Sequence, residues 1–279
     1  MKLGINTFLW TAAFDESNLD LLPKIKSHGF DGVEIARVAF DGFPAARIGK
    51  AVADAGLECT VCSALTGELS LVTDDAKARE RTSDFLKRAI EATALLGAKV
   101  LAGPFCAPVG YLPGRRRTGE EWKRAVDGLA GLGPALTAAG VDLAVEPLNR
   151  FETFFLNTAS DGRKLCEAVQ HPRVGLLFDT FHANIEEKSI RAGLADTGGF
   201  IRHIHTCEND RGTPGSGHVA WDELFEGLRK ANYGSWLVIE SFGFALPEMA
   251  AAACIWRDLA ATPEDIAWQG VQFLRTCRS

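Results

Sequence analysis

Apolar residues gather in eight short runs, separated by longer stretches with helical spacing. The runs are "KLGIN" (2–6), "GVEIA" (32–36), "LECTVCS" (57–63), "AKVLAG" (98–103), "VDLAVE" (141–146), "VGLLFD" (174–179), "IRHIHT" (201–206) and "SWLVIE" (235–240). Runs this short and this apolar predict strands buried on both faces. Between them, "NLDLLPKIKSHG" (18–29) and "DDAKARERTSDFLKRAIEATALLG" (74–97) carry helical patterns that stop at a Gly suited to a C-cap. "EEWKRAVDGLAGLGPALTAAG" (120–140) repeats the pattern, with Gly and Pro weakening its middle. Strands alternating with helices predict right-handed βαβ units and a parallel sheet. Eight such units predict an α/β fold of the (β/α)8 TIM barrel type, spanning 1–279 as a single domain. An open doubly wound sheet would want a Gly-rich first turn, and "GINTFLW" (4–10) is not one. The segment "FALPEMAAAACIWRDLAATPED" (244–265) is long for one connection. It is expected to add a helix over the barrel mouth or at a subunit contact.

Composition narrows the classes. The 279 residues are 47% hydrophobic and 24% charged, ordinary for a globular chain with a sizeable core. A net charge of −6 and a pI of about 5.6 argue against a general nucleic-acid binder. "MKLGINTFLW" is too short for a signal-peptide core, and no apolar run approaches the length needed to span a membrane. Seven Cys, an odd and scattered set, suggest free thiols and a cytoplasmic location. "CTVC" (59–62) resembles a redox or zinc pair, but positions three apart on a strand face opposite ways, so both thiols are read as core.

The chemistry lies at the strand ends. The fifth run ends on Glu146, the sixth on Asp179, the seventh on His205 and the eighth on Glu240. In a barrel, catalytic side chains come from the C-terminal ends of several strands. One such acid could simply cap the following helix or meet a loop Arg. Three carboxylates on strand ends about 5 Å apart would repel one another unless a cation sat among them. Three oxygens and one imidazole suit Mn2+, Mg2+ or Co2+ better than a thiolate-rich zinc site. His203 points to the same strand face as His205 but stands farther from the strand end, so it is read as barrel interior or support. Glu152, His182 and Arg211 follow these ends in the loops and would surround anything bound to the metal.

The motifs "EPLNRFETFFLNT" (146–158), "FDTFHANIEE" (178–187), "IRHIHTCENDRGTPGSGHVAW" (201–221) and "IES" (239–241) resemble those of the ketose 3-epimerases. That group acts on D-tagatose, D-psicose (allulose) or L-ribulose and belongs to the xylose-isomerase-like barrels. The resemblance runs over nearly the whole chain and is most specific in its second half. It implies a metal held by Glu146, Asp179, His205 and Glu240, with Glu146 and Glu240 also moving the proton. It implies that Glu152, His182 and Arg211 hold the substrate near oxygens 1 and 2, and that the chain forms a homodimer or homotetramer. Asn6 stands where some relatives carry an aromatic, so the wall meeting the sugar tail is expected to differ there.

A ketose proton at carbon 3 is acidified by the carbonyl at carbon 2, and inverting that centre needs a base on each face. Glu146 and Glu240, from non-adjacent strands, are the expected pair. Phe8, Trp10, Leu65, Phe105 and Phe242 are the candidates to meet the sugar tail, and loose apolar contact there predicts tolerance of several ketoses. "GRRRTGEEW" (114–122) is read as a solvated loop rather than a phosphate grip, and "GTPGSGH" (212–218) as the turn that positions Arg211. Another sugar isomerase or an inosose-type dehydratase is the rival activity. A multi-zinc nuclease fits six His and an acidic pI poorly.

Overall fold

The computed structural model describes residues 1–278. All eight runs form strands: β1 (Lys2–Asn6), β2 (Gly32–Ala36), β3 (Glu58–Cys62), β4 (Val100–Gly103), β5 (Asp142–Val145), β6 (Val174–Asp179), β7 (Ile201–His205) and β8 (Trp236–Ile239). Each pairs in parallel with the next, and β1 returns to β8 with Leu3 opposite Leu237, closing the barrel. Eleven α-helices are present among the described residues: α1 (Leu21–Ser27), α2 (Ala45–Asp54), α3 (Ala76–Leu95), α4 (Gly119–Gly131), α5 (Gly133–Ala139), α6 (Ala159–Val169), α7 (Thr180–Glu186), α8 (Ile190–Asp196), α9 (Trp221–Lys230), α10 (Pro247–Ala252) and α11 (Pro263–Arg278).

Local chemistry accounts for these boundaries. The predicted helix over 120–140 divides into α4 and α5, because Pro134 opens a new helix rather than continuing one. Thr118 and Glu121 form a capping box at the start of α4. Helix α9 buries Trp221, Leu224, Phe225 and Leu228, one stripe at helical spacing, in the main core. Gly29, past the end of α1, takes a φ of 85°, as a C-terminal Gly should. Gly103 ends β4 where a Cβ would collide with the Ser63 carbonyl oxygen, so no other residue lets β3 and β4 approach this closely.

Strand alternation sorts the core. Val33 and Ile35 face outward into the main core under the helices, while Glu34 between them faces the barrel interior. That interior is split. Val100, Ala102, Ala144 and Leu177 make a small apolar cluster on the β4–β6 side. Asn6, Glu34, Thr60, His203 and His205 fill the other side, all buried. The cysteines are all free. Cys59 joins the main core and Cys62 faces the mouth, as opposite-facing strand positions require. The 244–265 segment lies over the mouth: Met249 of α10 packs with Phe8, Ala36 and Cys62. No helix among the described residues is long and apolar enough to cross a membrane.

Candidate active site

The barrel brings its four strand-end groups together. Glu146 directly follows β5, Asp179 and His205 close β6 and β7, and Glu240 directly follows β8. One donor atom from each lies within 4.8 Å of the other three, and all four residues are buried. His205 Nδ1 is 3.2 Å from Glu240 Oε2 and 3.7 Å from Asp179 Oδ2. Asp179 also caps α7, accepting from the Phe181 amide at 2.6 Å. Burial and the neighbouring Glu240 push the Glu146 carboxyl well above the usual range. Burial opposes charge on Asp179 too, but the Arg211 guanidinium beside it holds it well below that range.

These residues fit a divalent ion. Glu146 Oε1 and His205 Nδ1 are buried and lack any hydrogen-bond partner, so one carboxylate oxygen and one imidazole nitrogen are left facing the cluster uncompensated. A hard oxygen-and-nitrogen donor set of this kind suits Mn2+, Mg2+ or Co2+.

Arg211 comes from the loop after β7. Its Nη1 donates to Asp179 Oδ2 at 2.7 Å and to Glu240 Oε2 at 2.9 Å, and its guanidinium lies 4.3 Å over the Phe181 ring. Its backbone adopts a φ of 66°, which is strained for an Arg. Two contacts hold that strain. Ser241 Oγ donates to the Arg211 carbonyl. Glu208, fully buried, accepts from the amides of Asn209, Gly215 and Val219 and from the Trp221 indole, tying the Gly-rich turn into one piece.

Asn149 links two further groups. Its side chain donates to Glu152 Oε1 at 2.7 Å, and its amide donates to His182 Nδ1 at 3.1 Å. A backbone amide and a guanidinium can only donate, so donors stand against both nitrogens of the His182 ring, which in its neutral form accepts at one of them. Burial keeps the ring below its usual pKa, hence neutral. Arg211 Nη2 reaches His182 Nε2 at 3.1 Å beside Glu146, which places the guanidinium and the ring together where a substrate oxygen could meet them.

A cavity of about 300 Å3 opens above the cluster. Glu146, Glu152, His182, Arg211 and Glu240 line one end, and Phe8, Ala12, Phe242 and Met249 line much of the remainder. Phe8 and Phe242 therefore stand where the sequence placed them, stacked 5.8 Å apart. Trp10, Leu65 and Phe105 do not line the cavity. The 3-10 turn at Thr7–Leu9 sends Phe8 inward and Trp10 outward against Trp268. Leu65 and Phe105 turn into the main core, leaving Ser63, Ala64, Thr66 and Pro104 as the wall. Asn6 is no wall residue either: it is fully buried beneath Glu240. Nearness to a strand end does not fix direction once the chain has left the strand.

The "GRRRTGEEW" loop is structural. Arg115 pairs with Glu121, and Arg117 bridges Asp161 and the Phe155 carbonyl. Sequence reasoning missed Glu34, Asn149 and Glu208. Glu34 had a visible signal, a lone carboxylate inside the apolar run "GVEIA", and Glu208 stands three before Arg211. Burial opposes charge on Glu34, but His203 and His205 hold its carboxyl well below the usual range.

Fold and site together define a class, the xylose isomerase-like TIM barrels, and the sequence profile of that family matches residues 22–277. A "probable ketose 3-epimerase" of Synechocystis sp. is 38% identical over 99% of this chain and 96% of its own length. An L-ribulose 3-epimerase of Mesorhizobium japonicum is 30% identical over 93% of this chain and 88% of its own. Among solved structures, a D-psicose 3-epimerase from Clostridium cellulolyticum H10, crystallised with D-tagatose, superposes with a TM-score of 0.93 at 26% identity, covering all of both chains. The chain belongs to the ketose 3-epimerase family of these barrels and is an enzyme of the isomerase class.

Proposed function

We propose that this enzyme inverts carbon 3 of free ketoses by a two-base proton transfer between Glu146 and Glu240. The observation that carries this reading is the meeting of two buried glutamates, from the ends of β5 and β8, in one cluster at the floor of the cavity. Glu146, Asp179, His205 and Glu240 would hold a divalent metal, Mn2+ before Co2+ or Mg2+. When bound, the ion supplies Lewis-acid polarisation of the sugar carbonyl. The protein's own groups do the rest. The Arg211 guanidinium and the His182 ring hold oxygens 1 and 2, and Glu152, steadied by Asn149, orients a neighbouring hydroxyl. One glutamate removes the carbon-3 proton and the other returns one to the opposite face, in either order by direction. Few polar groups face the sugar tail, which supports tolerance of D-tagatose, D-fructose, D-psicose and L-ribulose alike.

In this reading the enzyme works in the cytoplasm as a homodimer or homotetramer. The exposed Tyr111, Leu112 and Phe151 on the rim loops support association, which light scattering would measure. The test of the activity is incubation with D-tagatose, D-fructose and L-ribulose in deuterated water with Mn2+. A carbon-3 epimer labelled at carbon 3 is expected. An aldose or a dehydrated product would move the assignment to a sugar isomerase or an inosose-type dehydratase.

The turn that carries Arg211 makes its own prediction. Glu208→Gln leaves two of the four donors facing an amide, because each oxygen accepts from two, at a cost of about 1–3 kcal/mol for each donor left unmatched. The ketose KM is expected to rise several-fold while Mn2+ affinity holds, because the four ligand residues are untouched. Thermal unfolding and steady-state kinetics check both; an unchanged KM would show that the turn does not position Arg211.

A further inference from the structure

We infer that Glu34, in the middle of β2, is a positioning residue that sets the proton on His205 and the attitude of Glu240. The inference rests on the metal site proposed above. Glu34 does not line the cavity and is fully buried, so it can act only through other side chains.

Each of its oxygens faces two neighbours. Oε1 lies 3.0 Å from Asn6 Nδ2 and 2.8 Å from His205 Nε2. Oε2 accepts from Thr60 Oγ1 at 2.9 Å, and His203 Nε2 stands 2.7 Å from it as a close polar contact outside hydrogen-bond geometry. An ionised carboxylate has only acceptor sites, about four of them, so each hydrogen-bonded neighbour must present a hydrogen. His205 therefore carries its proton on Nε2. A neutral ring protonated there keeps its lone pair on Nδ1, and Nδ1 is the atom that faces Asp179 and Glu240 without a hydrogen-bond partner. The other tautomer would turn a lone pair toward Glu34 and a hydrogen toward the ion, unfavourable at both ends.

The second arm runs through Asn6. Its Oδ1 accepts from the Phe8 amide at 2.9 Å, which fixes which end of the side chain is the nitrogen. That nitrogen has two hydrogens. One goes to Glu34 Oε1, and the other points at Glu240 Oε1 at 3.4 Å. Glu240 is thus held by one oxygen, while its Oε2 faces His205 and Arg211. One carboxylate orients two of the four candidate ligands. Packing alone does not explain it, since a buried charge is costly and an apolar side chain of similar size would fill the barrel at less cost.

The test is Glu34→Gln, read by Mn2+ titration with the free-ion electron paramagnetic resonance signal, beside the wild-type protein. Gln offers one acceptor oxygen and an amide that competes with the donors. The Mn2+ dissociation constant is expected to rise about 10- to 100-fold, the usual loss on removing a ligand's supporting carboxylate. A purely structural role would lower the melting temperature of the metal-free protein and leave the dissociation constant of the folded fraction unchanged; that result overturns the inference. If the variant does not fold, nitrogen-15 histidine spectra of the Mg2+-loaded wild-type protein decide. A proton on His205 Nε2 with a bare Nδ1 supports the role, and the opposite tautomer refutes it. Failure of the wild-type protein to bind Mn2+ would instead remove the metal site itself, and this inference with it.

Discussion

Glu146→Gln and Glu240→Gln each lose ketose epimerisation, by on the order of 10³-fold or more, while the barrel folds normally. Positioned general acids and bases contribute about 10²–10⁴-fold, and here each residue is also a candidate ligand. Gln preserves shape and keeps one oxygen that can still meet an ion. What it lacks is a basic carboxylate. The two losses are expected to differ in kind. With one glutamate left, a proton can still leave one face of carbon 3 and return to the same face. Each variant should therefore exchange the carbon-3 hydrogen of only one of the two epimers with deuterated solvent, without inversion, and the two variants should choose opposite epimers. Proton NMR of the recovered sugar reads this directly. Wild-type turnover in either variant would refute the two-base scheme.

Removing the metal has the second large effect. A chelator should abolish turnover, and Mn2+ should restore it, with Co2+ or Mg2+ the weaker substitutes. The metal-free chain should nevertheless stay folded, because Arg211 already bridges Asp179 and Glu240 from the loop side. Binding to the native state alone stabilises by RT ln(1 + [L]/Kd), about 2.7 kcal/mol at a hundredfold excess over Kd. For a chain of this size that is a rise in melting temperature of roughly 5–10 °C. Circular dichroism and differential scanning calorimetry, with and without Mn2+, measure both. Turnover that survives exhaustive chelation would contradict the metal assignment, and collapse of the metal-free fold would contradict the role given to Arg211.

The strands were legible because parallel strands in a barrel are buried on both faces, so each shows as a short apolar run. The three carboxylates and one imidazole at successive ends were legible because at a strand end the backbone sets where a side chain points. Beyond the end that constraint lapses. Trp10, Leu65 and Phe105 sit two to four residues past their strands, where a 3-10 turn or the loop path turned each away from the cavity. Glu34 posed the opposite difficulty. It lies well inside a strand, but its partners Asn6, Thr60, His203 and His205 come from three other strands, and only the closed barrel's stagger brings them level. Asn149 and Glu208 work through backbone amides, a use no residue pattern announces.

The divided interior of the barrel also bears on how far this chain can be altered. On the β4–β6 side, Val100, Ala102, Ala144 and Leu177 make no directional contacts, and volume-conserving exchanges among apolar residues generally cost less than about 1.5 kcal/mol. On the other side, Asn6 and Thr60 donate to the one carboxylate that His203 also faces at 2.7 Å, so no single replacement leaves that carboxylate satisfied. A library that randomised the two halves separately would return many working clones from the first and almost none from the second. Half of the barrel's lining is open to drift, and the other half can change only by several coordinated steps at once.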